Sequence, residues 1–353
     1  MIREGIQKLT EGMNLTYQEA TEIMKDIMSG GATEAQISSF LTASRLKGET
    51  TQEISAFAAV MREFCRRIHP KVNGRLVDTC GTGGDKVKTF NISTVSAFAV
   101  AGAGIPVAKH GNRSVTSKSG SADVLERLGL NLDLEPEAVE RVIEEVGIGF
   151  MFAPKFHPAM KYAIGPRREI GIRTVFNILG PLTNPAGANA QVLGVYSTEW
   201  LERLAYVLDE LGCEEAMVAH GTDGLDEIST IGRTSIAWLK NGEVSLTEIT
   251  PKDFGFRTAK PEEIRGTTPE ESAVLAFKLL YDVLNPQDPK REIVLLNAAA
   301  GILVGGKADD FAHGIELAAE SIESGAAYGK LKTMMRASDG ELAKLEELEG
   351  RYA

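Results

Sequence analysis

Apolar residues recur at helical spacing through the first seventy positions. Tyr17, Ala20, Ile23, Met24, Ile27 and Met28 form one stripe, Ile37, Phe40 and Leu41 mark a second, and Ile54, Phe57, Ala58, Met61, Phe64, Cys65 and Ile68 a third. Ser29-Gly30-Gly31 and Lys47-Gly48 separate these segments. His69-Pro70 stops the last one, because the residue before a proline is pushed out of the α region. From Arg75 the period changes: RLVDT, IPVAK, IGFMF, QVLGVYS and EAMVAH read as strands, each followed by a loop and most by a helical stretch. Ser121 opens SADVLERLG before Gly129, Pro136 sits in the first turn of PEAVERVIEEVG before Gly147, and Asn241-Gly242 predicts a hairpin. The expected fold class is α/β, with a small, mostly N-terminal all-helical domain and a large α/β domain whose central sheet is flanked by helices.

Composition narrows the function classes. The chain has 353 residues, 43% hydrophobic and 25% charged, values of a soluble globular protein long enough for about two domains. Its net charge of −11 argues against coating nucleic acid or an anionic membrane. Cys65, Cys80 and Cys213 lack C-x-x-C spacing and indicate neither a disulfide framework nor a cysteine zinc site. The longest near-apolar run, residues 96–108, is too short and Gly-rich to span a bilayer, and no signal-peptide pattern precedes it. A cytoplasmic protein is expected.

The candidate chemistry lies in the loops after the strands. Leu76-Val77 runs into GTGGD at 81–85, where missing side chains let main-chain N–H groups approach an oxyanion; the alternative is an ordinary tight turn. A dinucleotide fingerprint would require glycine in place of Lys86, and no lysine-bearing phosphate loop begins here. GILVGGK at 301–307 misses the latter pattern as well, since Ala308 follows, and reads as the end of a packed helix. NIST at 91–94 precedes a small-residue helix, so its amides and hydroxyls face anions unless Ser93 or Thr94 simply caps that helix.

Further along, KHGNRSVTSKSGSAD at 109–123 gathers Lys109, His110, Arg113 and Lys118 in an acidic chain, which suits a phosphate ester or, alternatively, a solvated basic loop. HGTDGLDEIS places His220, Asp223, Asp226 and Glu227 within eight residues, hard ligands for magnesium carried by substrate phosphates or else an exposed acidic loop. Zinc is disfavoured, since no second histidine follows at ligand spacing. Arg167-Arg168 follows a Gly165-Pro166 break and opens a helical stretch; an arginine there suits two-pronged binding of a carboxylate or a plain surface role.

In order and spacing, GTGGD, NIST, KHGNRSVTSKSGSAD, GPRREIGIRTVFNILGPLTNP and HGTDGLDE resemble the anthranilate phosphoribosyltransferase family, over nearly the whole chain. The resemblance implies transfer of the phosphoribosyl group of 5-phosphoribosyl 1-pyrophosphate to the amine of anthranilate, giving N-(5-phosphoribosyl)anthranilate and pyrophosphate in tryptophan biosynthesis. It implies a phosphoribosyl pyrophosphate site at Gly81, Gly84, Asp85, Thr89, Asn91, Ile92, Ser93 and Thr94. Lys109, His110, Gly111, Asn112, Arg113, Ser114, Val115, Thr116 and Ser117, with Ser121, complete that site. Gly81, Asn112 and Arg167 are implied for anthranilate, and Ser93, Asp226 and Glu227 for two magnesium ions per monomer. No general base is assigned, because the amine already carries a lone pair. Thr116 stands where many members have serine and retains a hydroxyl.

The family architecture, like that of nucleoside phosphorylases, adds a discontinuous helical domain. Residues 1–71 and about 158–184 would form it, dimerise and supply part of the anthranilate site, leaving 72–157 and 185–353 as the α/β domain. Two rivals are weighed. A pyrimidine nucleoside phosphorylase-like enzyme would need a different loop at 109–121, and Asn112, Arg167 and the Asp-Glu pair disfavour it. A non-catalytic, nucleic-acid-binding relative would carry a basic surface and a degraded acid pair, against the net charge of −11 and the intact pair here.

Overall fold

The computed structural model describes residues 1–114 and 119–352. Its N-terminal helices are α1 (Ile2–Thr10), α2 (Tyr17–Ser29), α3 (Glu34–Lys47) and α4 (Thr51–Glu63). Thr16, Thr33 and Thr50 each accept from the amide three residues on, and Glu19, Gln36 and Glu53 return a bond to the cap amide, so α2, α3 and α4 start on capping boxes. Their apolar stripes converge on one core containing Ile23, Met24, Ile27, Phe40, Ile54 and Phe57, with Phe40 and Phe57 edge to face at 5.8 Å.

The α/β part runs β1 (Val77–Gly81), α5 (Ile92–Gly102), β2 (Val107–Gly111), α6 (Ser121–Arg127), α7 (Pro136–Val146), β3 (Ile148–Phe152), α8 (Ala153–Phe156), α9 (Lys161–Ile170) and α10 (Phe176–Leu182). It continues with β4 (Ala190–Gly194), α11 (Leu201–Glu210), β5 (Glu215–Gly221), β6 (Thr234–Lys240), β7 (Glu243–Ile249), α12 (Pro269–Leu280) and α13 (Pro289–Val304). Three more helices, α14 (Phe311–Glu323), α15 (Ala326–Ala337) and α16 (Ala343–Tyr352), follow.

The strands form one sheet in the order β3-β2-β1-β4-β5-β6-β7. Strands β1 to β5 are parallel, and β6 and β7 add an antiparallel edge through the hairpin at Asn241-Gly242, whose φ values of 54° and 76° fit its two-residue turn. Side chains alternate between faces as a strand requires. Ala190, Val192, Met217 and Ala219 enter the layer of α5 and α13, while Leu193, Val195, Ala216 and Val218 enter the layer shared by α4 and α11. The chain passes from β1 to β2 and β3 on one side, then returns to β4 on the other. This reversal opens a crevice at the carboxyl ends of β1 and β4, where open sheets of this kind bind ligands. Across that crevice α9 lies against α2 and α3, and α10 against α4. No helix among the described residues is long and apolar enough to cross a membrane.

Several local expectations are corrected. Pro166 lies inside α9, which ends at Gly171 with φ 64°, so Arg167 and Arg168 occupy the last turn of a helix instead of opening one. Helix α5 starts at Ile92 with Asn91 at its cap, and neither Ser93 nor Thr94 caps it. Gly120 is the cap of α6 and Ser121 its first residue; the Gly120 amide is taken by the Asp123 carboxylate at 2.9 Å, and the Ser121 hydroxyl turns to the Asn112 carbonyl at 3.3 Å.

Candidate active site

A cavity of about 650 Å³ lies at the crevice. The loops after β1, β2 and β5 and the start of α5 form one wall; Met61 of α4, the segment 153–164 and Arg167, Phe176 and Pro181 form the other. The acid loop enters by crossing β4. A Cβ on Gly194 would overlap the Asp226 carbonyl, so glycine at the end of that strand is what lets the loop through. Asn297, buried on α13, fixes the loop from beneath: its side chain accepts from the Ile228 amide at 2.9 Å and donates to the Ile228 carbonyl at 2.9 Å.

Asp226 and Glu227 thus reach the cavity with no ion pair among the described residues to neutralise them. One Asp226 oxygen accepts from the Gly83 amide at 2.6 Å, and Glu227 accepts from the Ser93 amide at 3.2 Å. Burial raises the Asp226 carboxyl to about 7, with the charge of Asp85 adding to the rise. Burial raises Glu227 to about 8, with Asp226 adding and Lys109 subtracting. Lys109 itself is buried and committed elsewhere, donating to the Thr79 carbonyl at 2.5 Å and to the Ser93 hydroxyl at 3.4 Å. Burial lowers its pKa, opposed by Asp78, Cys80 and Glu227.

Asp78 lies behind this group. Its oxygens accept from Asn184 at 2.7 Å and from the His110 amide at 3.3 Å, and burial lifts it to about 6 against the pull of Lys109. Asp85, also raised by burial, accepts from the Thr89 amide at 2.9 Å and so folds the glycine loop back on itself.

The opposite wall is chemically different. Arg167 is half-buried over the Phe176 ring at 5.1 Å, and burial alone lowers its pKa, with no carboxylate contributing among the described residues. His110 and His157 face each other with ring centroids 5.0 Å apart. Burial pushes His110 down to about 3, reinforced by His157 and opposed by the Gly180 main chain; it pushes His157 to about 4, opposed by the Thr183 main chain. Both rings are therefore neutral at pH 7.

Of the residues singled out in the sequence, Gly81, Gly84, Asp85, Thr89, Asn91, Ser93, Thr94, Lys109, His110, Gly111, Asn112, Arg113, Ser114, Ser121, Arg167, Asp226 and Glu227 line this one cavity. Ile92 does not, because the first residue of α5 points into the core. Val115, Thr116, Ser117 and Lys118 lie outside the described residues. His220 and Asp223 are corrected to structural roles: His220 Nδ1 bonds the Val195 carbonyl at 2.7 Å, and Asp223 accepts from the Ser229 hydroxyl at 2.5 Å. Asp226 is buried, which rules out the exposed acidic loop.

Residues 73–328 match a family model described as the glycosyl transferase family a/b domain, and residues 3–65 match the helical bundle domain of the same family. An anthranilate phosphoribosyltransferase from Pelotomaculum thermopropionicum is 55% identical over 335 residues, covering 95% of this chain and 96% of the relative. The chain belongs to the anthranilate phosphoribosyltransferase family. Within that family, the crystal structure of the Thermus thermophilus protein superposes with a TM-score of 0.89 at 41% identity, covering 95% of this chain and 99% of that one. The Saccharomyces cerevisiae protein in complex with PRPP and Mg gives 0.87 at 27% identity, covering 96% and 98%.

His157, Asp78, Asn184 and Asn297 take their places through contacts distant in the chain: Asn184 on Asp78, Asn297 on Ile228, and His157 on the cavity wall.

Proposed function

We propose that this protein transfers the phosphoribosyl group of 5-phosphoribosyl 1-pyrophosphate to the amine of anthranilate with release of pyrophosphate. The observation that carries the proposal is a single cavity with two desolvated, adjacent carboxylates on one wall and, on the other, a half-buried arginine that has no acid partner among the described residues. A binding relative without chemistry has no use for such a costly pair of acids.

The donor set fits magnesium. Among the described residues no three His, Cys, Asp or Glu side chains gather as a closed metal site. Ser93, Asp226 and Glu227 offer hard oxygen donors that a diphosphate would complete, and they are assigned to hold two ions. When bound, magnesium supplies charge neutralisation for the departing pyrophosphate. The PRPP and Mg complex of the yeast relative supports this assignment.

The chain's own residues do the rest. The glycine loop at 81–85 and the first turn of α5 line the side of the cavity assigned to the phosphates, with Asp85, Thr89, Asn91, Thr94 and the 109–114 segment shaping the ribose phosphate subsite. Arg167 takes the anthranilate carboxylate in a two-pronged contact, with Asn112 beside it. The aromatic amine is a weak base and unprotonated at neutral pH, so its lone pair attacks C1 as the bond to the pyrophosphate oxygen breaks, while His110 and His157, kept neutral by burial, add no positive charge to the cavity. The nitrogen then gives its extra proton to water or to the released pyrophosphate. Positioning and electrostatics carry this step.

Residues 1–71 and about 158–184 are proposed as one helical domain across the hinge from 72–157 and 185–353, supported by the packing of α9 on α2 and α3. A homodimer through the helical domain is supported by exposed apolar side chains there, among them Leu46 and Tyr17. A cytoplasmic location is supported by three free cysteines.

The test is the loss of anthranilate fluorescence on mixing the protein with phosphoribosyl pyrophosphate and magnesium. Metal-dependent loss is expected. No loss with folded protein would overturn the proposal, and phosphate-dependent cleavage of a pyrimidine nucleoside would move it to the phosphorylase reading.

A further inference from the structure

The segment that leaves β2 returns to α6 through a narrow neck. Asn112, Arg113 and Ser114 lie on one side and Ser119, Gly120 and Ser121 on the other, and all six line the cavity. The two sides touch so closely at Gly120 that a Cβ there would overlap the Ser114 nitrogen, although its φ of −89° is open to any residue. Glycine is therefore required by contact, not by backbone conformation.

Asp123, one turn into α6, fastens this neck. A single carboxylate oxygen, Oδ2, accepts from the Ser114 amide at 3.1 Å and from the Gly120 amide at 2.9 Å, one from each side. The other oxygen accepts from Arg113 at 3.1 Å, and Arg113 extends a two-pronged contact to Glu126 at 2.7 and 2.8 Å. The Asn112 carbonyl meanwhile accepts from the Ala122 amide at 3.2 Å and the Ser121 hydroxyl at 3.3 Å. Asn91 donates to the Ser119 carbonyl at 3.1 Å, joining the neck to the start of α5.

We infer that Asp123 is a positioning residue for the phosphoribosyl pyrophosphate site: it clamps both sides of the neck and thereby sets the geometry of Asn112, Ser114 and Ser121. Its carboxylate is engaged by protein donors and touches no reacting atom. The inference rests on the substrate assignment made above and extends it to a residue outside the lining set.

An asparagine can keep both amide bonds by turning its carbonyl oxygen toward them, giving up the Arg113 contact while Glu126 still holds that arginine, and an alanine cannot. Asp123→Ala is expected to raise the KM for phosphoribosyl pyrophosphate at least tenfold and that for anthranilate by less, while Asp123→Asn stays within about threefold of wild type. Gly120→Ala, which wedges the same neck without touching the carboxylate, should reproduce the alanine phenotype and serves if Asp123→Ala does not fold.

Amide hydrogen exchange at Ser114 and Gly120 gives a readout independent of turnover. It is expected to be slow in wild type and Asp123→Asn and at least tenfold faster in Asp123→Ala. Unchanged exchange, an unchanged KM for phosphoribosyl pyrophosphate in both Asp123→Ala and Gly120→Ala, or an Asp123→Asn protein as impaired as the alanine variant would overturn the inference. Wild-type protein inactive on both substrates would instead overturn the substrate assignment, and exchange would still decide the clamp.

Discussion

The two ends of the sheet treat buried acids in opposite ways. At the amino end of β5, Glu215 is almost fully buried but surrounded: Arg75 reaches it at 2.6 Å, the Trp238 indole N–H at 3.0 Å and Lys240 at 3.2 Å. At the carboxyl end, Asp226 and Glu227 are desolvated beside each other and Asp85, and their pKa values rise toward neutrality. The arginines repeat the contrast. Arg75 is spent on Glu214, Glu215 and the Val304 carbonyl, whereas Arg167 packs on an aromatic ring and, among the described residues, pairs with no acid. A buried charge that already has its counter-ions supports the fold; one that lacks them among the described residues is what the proposed substrate and cation site requires.

The comparison breaks first at the acids themselves. Asp226→Asn with Glu227→Gln should lower turnover by more than about 100-fold, since charge neutralisation at comparable metal sites is worth several kcal/mol. Near-normal turnover at saturating magnesium would sink the assignment.

Arg167→Ala comes next. Loss of a charged two-pronged contact should raise the anthranilate KM by about tenfold or more, with a much smaller change for phosphoribosyl pyrophosphate. Equal effects on both substrates would remove Arg167 from the carboxylate.

Stability should move in opposite directions at the two ends. Glu215→Gln is expected to cost about 2 kcal/mol in urea unfolding, because it takes the acid from Lys240 and leaves Arg75 with Glu214 alone. The Asp226→Asn, Glu227→Gln double variant, measured without ligands, should be at least as stable as wild type. A destabilised double variant would mean those acids support the fold after all.

The smallest effect concerns pH. The pKa of His157 is about 4 in the fold against 6.5 for a free histidine, so between these values the unfolded chain binds a proton that the folded chain refuses. That contribution is complete above the unfolded value and is lost as pH falls toward 4. His157→Phe should therefore gain on wild type by about 1 kcal/mol between pH 7.5 and pH 5.5. A pH-independent difference between the two proteins would show that the fold leaves the His157 pKa unshifted, and a difference of the opposite sign would show that the imidazole is charged in the fold.

What was legible from sequence divides along the same physical line. Strands β1 to β5 and the hairpin at Asn241-Gly242 follow from local period and turn chemistry, and the glycine, hydroxyl and acid loops stand at strand ends where such loops must lie. Contacts made across the chain left no such trace. Asn297 reaches Ile228 from 69 residues away, and Asn184 reaches Asp78 from 106. Pro166 reads as a break because proline lacks the N–H of a helical hydrogen bond, yet tertiary packing of α9 against α2 and α3 carries the helix through it. Ser121 reads as a helix cap, but the cap is Gly120, whose amide is held by the Asp123 carboxylate, and the Ser121 hydroxyl donates to the Asn112 carbonyl.

The most direct measurement is calorimetric titration of 5-phosphoribosyl 1-pyrophosphate into wild type and into the Asp226→Asn, Glu227→Gln double variant, each with magnesium and with chelator. Wild type should bind at least about tenfold more tightly with magnesium, and the double variant should show the same affinity in both conditions. An equal gain from magnesium in the two proteins would contradict the proposal that these acids, without a counter-charge among the described residues, hold a cation with the substrate.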